Sequence, residues 1–396
     1  MSRIDELIPG GCHTYSKGAR SYPSNAPTIV RAKGGLAWSD DGREFVDLGM
    51  GINNVLIGHA EDEIDDMAVA ALRGGQAFSR PSRLEERAAE SVLSIYPNAD
   101  MIKFCKDGST ANNAAIRLAR AVTGRQAIAF DETAPFFSTA DWFCHRQPRW
   151  KGTLDAERAT TFGFRFNDVE SVERAFATRP LACVILELCR YERPTSEFLS
   201  TITRLCKENG TLLIVDEVVT GFRYGLHGAQ ELFGIVPDLF TLGKGMANGY
   251  AVAAVLGKRE YMSRGADDVF LLSTTNGAEQ SGLAAVVATV EFYRQRDVVG
   301  DLHQSGRLLN ALVAKAAIQH LVGAYVHTDS AMDCRPRLNI LGDSLRELAH
   351  AALIEHGVLW PKTWTCQCYR RTEDQMQRIG AALHAACDVV GKSVWN

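Results

Sequence analysis

The chain has no apolar run long enough to cross a bilayer. Its most apolar stretches, around 251–257 and 283–292, fall short of the roughly 20 residues a membrane helix needs. Neither sign of charge is in excess: 43 Lys and Arg stand against 47 Asp and Glu, a net charge of -4. Nothing in that balance suggests nucleic acid or an anionic membrane surface as a partner. There is no internal repeat, low-complexity tract or block of like charge. Ten cysteines are scattered without a C-x-x-C pair. Cys366 and Cys368 are the closest, and no two further ligands at zinc-site spacing accompany them. No metal site is expected. The start, Met1-Ser2-Arg3-Ile4-Asp5-Glu6, lacks the apolar core of a secretory signal, so a cytoplasmic protein with reduced thiols is expected. Neither a Walker A pattern nor G-x-G-x-x-G occurs, which weighs against ATP and NAD.

What is present is an ordinary globular composition, 46% hydrophobic and 23% charged over 396 residues. One large or two ordinary domains fit that length. Residues 1–34 read as an irregular arm. An Asp41-Gly42 turn between Leu36-Ala37-Trp38 and Phe45-Val46 marks a β-hairpin. From 65 to 290 short apolar strands (102–105, 127–130, 182–188, 211–216, 239–242, 251–256) alternate with helices (111–123, 169–177, 198–209, 277–295). Such alternation predicts an α/β fold with a mostly parallel sheet sandwiched by helices. Residues 1–64 and 291–396 are expected to form a smaller α+β domain from both termini.

Four segments carry chemistry. In the first, Asp107-Gly108-Ser109-Thr110 stands between a strand and a helix, where a tight turn, free N–H groups and hydroxyls suit a phosphate. Taken alone, that segment is better explained as an ordinary Ser N-cap. The second is Leu212-Leu213-Ile214-Val215-Asp216-Glu217-Val218, which ends a buried strand on a carboxylate. Asp216 and Val218, two apart in extended chain, share a side, and Glu217 faces away; taken alone, Asp216 reads equally as a helix cap after the strand. Third, Leu242-Gly243-Lys244-Gly245 presents an amine between glycines, with room for a flat ligand, although alone it reads better as a solvated loop lysine. Both polar residues fall at the carboxyl ends of strands, where open α/β sheets bind ligands. A carboxylate that protonates a pyridine and an amine that forms a Schiff base suit pyridoxal 5′-phosphate (PLP). The fourth segment, Ser273-Thr274-Thr275-Asn276-Gly277, places hydroxyls before another helix.

In their order these segments resemble the class III, fold type I, PLP-dependent aminotransferases, in the branch around glutamate-1-semialdehyde aminomutase. The resemblance runs from Pro9-Gly10-Gly11 through Gly58-His59 to the C-terminal unit. It implies a large PLP-binding domain with a sheet of seven strands. It also implies roles. Lys244 would carry the internal aldimine and serve as base. Asp216 would pair with the pyridinium, and Val218 would pack on one ring face. Gly108, Ser109 and Thr110 would hold the phosphate, Glu187 would lie near the cofactor, and Thr275 would reach the neighbouring active site of a homodimer.

The chain departs from the family where a Tyr-His-Gly-Trp-His run is usual. It has Phe136-Phe137-Ser138-Thr139-Ala140, in which Phe136 keeps a π-face for stacking without the hydroxyl. Lys17 stands near where the aminomutase has an arginine for the substrate carboxylate, and a lysine lacks the bidentate fork. The expected activity is amino transfer from an amino-acid donor to a specialised carbonyl acceptor, through a pyridoxamine intermediate. An intramolecular aminomutase and a non-catalytic PLP-fold binding protein are the alternatives. Arg223, Lys17, Arg20 and His13 are candidate substrate contacts, though a solvated surface role is the expected one for each taken singly.

Overall fold

A computed structural model describes residues 3–133, 139–144, 151–267, 269, 271–362 and 365–395. The chain divides into two compact units, Glu63–Arg296 and a second built from Met1–Asp62 with Asp297–Asn396.

The unit Glu63–Arg296 is organised on a seven-stranded sheet. Its order from edge to edge is Met101–Cys105, Ala253–Gly257, Leu239–Leu242, Leu212–Asp216, Leu181–Leu186, Ala127–Asp131 and Thr161–Phe164. Every strand but one runs parallel; Ala253–Gly257 is antiparallel to both of its neighbours. The central strands are buried along their whole length, which explains their continuous apolar runs. The helix Gly108–Thr123 lies across five of these strands and contributes Ile116 and Leu118 to a core with Phe130, Ile185, Ile214, Leu239 and Val255. It starts three residues earlier than its apolar periodicity predicts. Asp107 caps it by accepting the Thr110 amide at 2.8 Å, and Gly124 ends it at φ +66°.

Strands expected by range agree with those observed to within two residues at each end, and further strands join them. Thr161–Phe164 is an edge strand whose central Gly163 breaks the apolar pattern. Ile29–Lys33 falls inside the stretch expected to be irregular; it is an exposed strand, Ile-Val-Arg-Ala-Lys, without apolar alternation. It pairs with Leu36–Ser39, which pairs with Glu44–Asp47 across the expected Asp41-Gly42 turn, and Val358–Leu359 completes that sheet. The same unit has a two-stranded ribbon, Val326–Asp329 with Arg337–Ile340. Its long helices Val298–Gln319, Asp343–Glu355 and Glu373–Trp395 enclose a core that includes Leu309, Leu353, Trp360, Ile379 and Leu383.

All ten cysteines are free, and Cys366 and Cys368 are both buried. Among the described residues no cluster of His, Cys, Asp and Glu could hold a metal ion, and no helix is long and apolar enough to cross a membrane.

Candidate active site

Asp216 is the last residue of its strand and only 7% exposed. Its carboxylate is not a helix cap. Oδ1 accepts the Val218 amide at 2.9 Å, and Oδ2 accepts the side-chain amide of Asn112 at 3.0 Å. Asn112 in turn accepts the hydroxyl of Thr241 at 2.8 Å. Burial pushes the Asp216 carboxyl up to about 6, and the nearby Glu187 carboxylate adds to the rise. The two amide donors and the Lys244 ammonium pull the other way without cancelling it.

Lys244 begins a single 3-10 turn, Lys244–Met246, two residues past the neighbouring strand Leu239–Leu242. It holds φ +41°, a left-handed conformation unusual for a residue with a side chain. The turn is fixed from behind: the Ala247 amide donates to Lys244 O at 3.1 Å, and the Tyr293 hydroxyl donates to Gly245 O at 2.9 Å. Asp216 and Lys244 are thus brought together by two strands that pair in parallel, with Asp216 opposite Thr241.

Val218 stands between the two glycine segments. A Cβ on Gly243 would lie 3.3 Å from its Cγ1, and one on Gly108 would lie 2.7 Å from its Cγ2. A phosphate-type turn, an apolar wall and the lysine turn therefore meet within van der Waals reach. Thr110 gives both of its donors to Asp107, the amide at 2.8 Å and the hydroxyl at 2.7 Å. The start of the helix, at Gly108 and Ser109, is the side on which an anion would be received.

Of the other expected site residues, Glu187 is half-buried and close enough to raise the carboxyls of both Asp216 and Asp131. Thr275 is exposed, in a loop that leads to the helix Gln280–Gln295. Phe136 lies outside the described residues. Arg223 corrects an expectation. It is fully buried, not a surface cation, and its Nε donates to Val219 O at 2.9 Å. Lys17, Arg20 and His13 are exposed and belong to the other compact unit.

Two findings lie beyond the sequence reading. Glu217 does face away from Asp216's side, but it is fully buried and not solvated. Its carboxylate takes the amides of Ala229 at 3.0 Å and Gln230 at 2.7 Å, together with the Thr220 hydroxyl. Burial pushes its carboxyl up to about 7 against those three donors. The Asn112–Thr241 pair is the other. A signal for Asn112 existed: it is an amide at a buried position of a helix whose other buried residues are apolar.

The class III aminotransferase family model matches residues 18–135 and 156–326. The chain belongs to the class III aminotransferases. The 3-aminobutyryl-CoA aminotransferase of Cloacimonas acidaminovorans (strain Evry) is 30% identical to this aminotransferase over 99% of the chain and 97% of its own length. Among solved structures, the FumI protein of Sphingopyxis sp. MTA144, described in a PLP-bound form, superposes with a TM-score of 0.91 at 26% identity, covering 100% of this chain and 96% of its own. A glutamate-1-semialdehyde aminomutase of Pseudomonas aeruginosa PAO1 superposes at 0.82 with 20% identity over 93% of this chain and 89% of its own. The expected fold class is borne out: this is the α/β fold of PLP-dependent transferases.

Proposed function

We propose that this class III aminotransferase holds PLP in the unit Glu63–Arg296 and moves an amino group from an amino-acid donor to a carbonyl acceptor through Lys244 and Asp216. The observation that carries the reading is the pairing of their strands, which sets an amine and a buried carboxylate at neighbouring carboxyl ends beside an apolar wall. The residues fit the cofactor. A carboxylate held in a dry site, with its proton affinity raised, calls for a cation, and a protonated ring nitrogen supplies one. Gly108 and Gly243, lacking a Cβ, let both turns close against Val218, which forms the apolar wall beside which a flat ring would lie.

When bound, PLP supplies attachment for the substrate nitrogen and an electron sink for the charge left on the substrate carbon. The chain supplies the rest. Asp216 keeps the ring nitrogen protonated. Lys244 Nζ anchors the cofactor, then takes the proton from the amine-bearing carbon and returns it. Gly108 and Ser109, with the capped Thr110, hold the phosphate at the helix start. Val218 packs on one ring face, and Phe136 is assigned the other on sequence grounds. Glu187 lies at the cofactor's edge, and Thr275 serves the neighbouring subunit of a homodimer, an assignment its exposure supports.

For the substrate, the 30% identical relative is named for an amine on the β carbon of an acyl group. We assign this enzyme a carbonyl acceptor of that class. Its free thiols fit a cytoplasmic setting. The test is a screen of α- and β-amino donors against oxo acceptors, read by the absorbance of the bound cofactor and by product. Exchange that requires both partners supports transamination. Product formed from one substrate with no donor would replace it with the aminomutase.

A further inference from the structure

We propose that Asn112 and Thr241 are positioning residues that hold Asp216 as an oriented anion for the cofactor's ring nitrogen; this rests on the assignment of Asp216 to that nitrogen. The three residues come from three elements: the helix Gly108–Thr123, the strand Leu212–Asp216 and the strand Leu239–Leu242. Those same elements carry the phosphate-type turn, the carboxylate and the lead-in to Lys244. Asp216 and Thr241 are direct partners in the parallel pairing, and the Glu217 amide donates to Thr241 O at 2.9 Å, so Thr241 is fixed from its backbone.

The chain of bonds has one direction. The Thr241 hydroxyl donates to Asn112 Oδ1, which turns the Asn112 NH2 toward Asp216 Oδ2. A reversed amide would set Oδ1 against Oδ2, two acceptors facing each other in a buried site. Only a protonated Asp216 could accept that reversal, by donating to Oδ1 while the NH2 turned to the Thr241 oxygen. The polarity of the amide and the charge of Asp216 are therefore coupled. With Val218 N on Oδ1 and Asn112 on Oδ2, each carboxylate oxygen has one donor from the protein and keeps a lone pair for a ligand. Thr241 is 0% and Asn112 2% exposed, so no bulk water can take over either bond.

A purely structural role for this pair predicts lost stability and nothing more. A positioning role predicts a change in the cofactor's proton. The experiment reconstitutes wild type, Asn112→Leu, Thr241→Val and Thr241→Ser with PLP labelled with 15N in the ring. The 15N shift is then followed by NMR from mildly acid to mildly alkaline pH, beside the Kd for PLP. Wild type and Thr241→Ser should keep the ring protonated over the same range. Asn112→Leu and Thr241→Val should lose that proton at a pH lower by about one to two units, and PLP should bind about 10- to 100-fold more weakly. If Asn112→Leu does not fold, the isosteric Thr241→Val decides alone. Variants that bind PLP with the wild-type 15N titration overturn the proposal, whatever their melting temperature. A wild type that takes up no PLP overturns this proposal together with the assignment it rests on; bound wild type with unchanged variants overturns this one alone.

Discussion

A Cβ placed on Gly108 would sit 2.7 Å from Cγ2 and 2.8 Å from Cγ1 of Val218. The helix that opens the phosphate-type turn is therefore seated directly against the residue that follows Asp216 by two. Val218 is β-branched and stiff at χ1, so it has little freedom to turn aside. Gly108→Ala should cost about 1–3 kcal/mol in urea unfolding by overpacking, and it should weaken PLP binding by displacing Val218. Val218→Ala in the same chain removes both opposing methyls and should recover most of that loss. A double-mutant cycle whose two effects simply add would show that the contact carries no coupling.

Much of this arrangement was legible in the sequence. Asp216 and Lys244 stand out because each ends an apolar run with a polar residue, and buried parallel strands admit few of those. Thr241 was not legible, because its meaning comes from pairing: only the register that sets it opposite Asp216 makes a strand threonine a link in a polar chain. Glu217 was read for its direction and not its burial. A two-residue period says which side a side chain takes, and it does not say that amides of Ala229 and Gln230 wait there. The burial of Arg223 was not legible for a related reason: a cation next to a turn looks solvated until the fold closes over it. The exposed strand Ile29–Lys33 shows the limit from the other side, since an edge strand held by backbone bonds needs no apolar alternation.

Asp216 and Glu217 together give the cofactor-free protein a particular pH response. Burial raises the first from 3.8 to about 6 and the second from 4.5 to about 7. The unfolded chain releases these protons near pH 4, while the folded chain still holds them. Stability from these groups is therefore greatest below about pH 4, falls as pH rises toward about 7, and levels off above it. Glu217→Gln removes one of the two. From about pH 5 to about pH 8, the wild type should lose on the order of 2 kcal/mol more than the variant, read from urea midpoints at both pH values. Equal losses would mean that Glu217 ionises in the fold as it does in water.

Glu279 ties the Thr275 loop down at its far end. It caps the helix Gln280–Gln295 by accepting the Gly282 amide at 2.9 Å, and it pairs with Lys106 Nζ at 2.8 Å. Gln76 and Ser281 donate to its other oxygen. Burial works against the charge, but these partners outweigh it and hold the carboxyl below its ordinary value. Glu279→Ala should cost about 2–3 kcal/mol, from the lost cap and the Lys106 ammonium left without its carboxylate. Lys106→Ala should cost less, because Glu279 keeps its other donors. Since Lys106 neighbours Asp107, both variants should also weaken PLP binding, measured by absorbance titration of the apoprotein.

The assignment of Thr275 to the neighbouring subunit can be separated from a role in its own subunit by mixing two defects. Lys244→Ala alone should abolish the spectral response to amine donors and lower turnover by at least about 10²–10⁴-fold. Thr275→Val alone should leave Lys244 intact and weaken PLP binding, because a phosphate-reaching hydroxyl is gone. In mixed dimers the two geometries part company. If Thr275 serves the partner, one site collects both lesions and the other receives a sound lysine and a sound threonine, so activity should rise above that of either parent. If Thr275 serves its own site, each mixed dimer holds one site without its lysine and one with a weakened phosphate grip, and nothing is gained over Thr275→Val. Coexpression with two affinity tags isolates the mixed dimer, and turnover at limiting PLP reads the result.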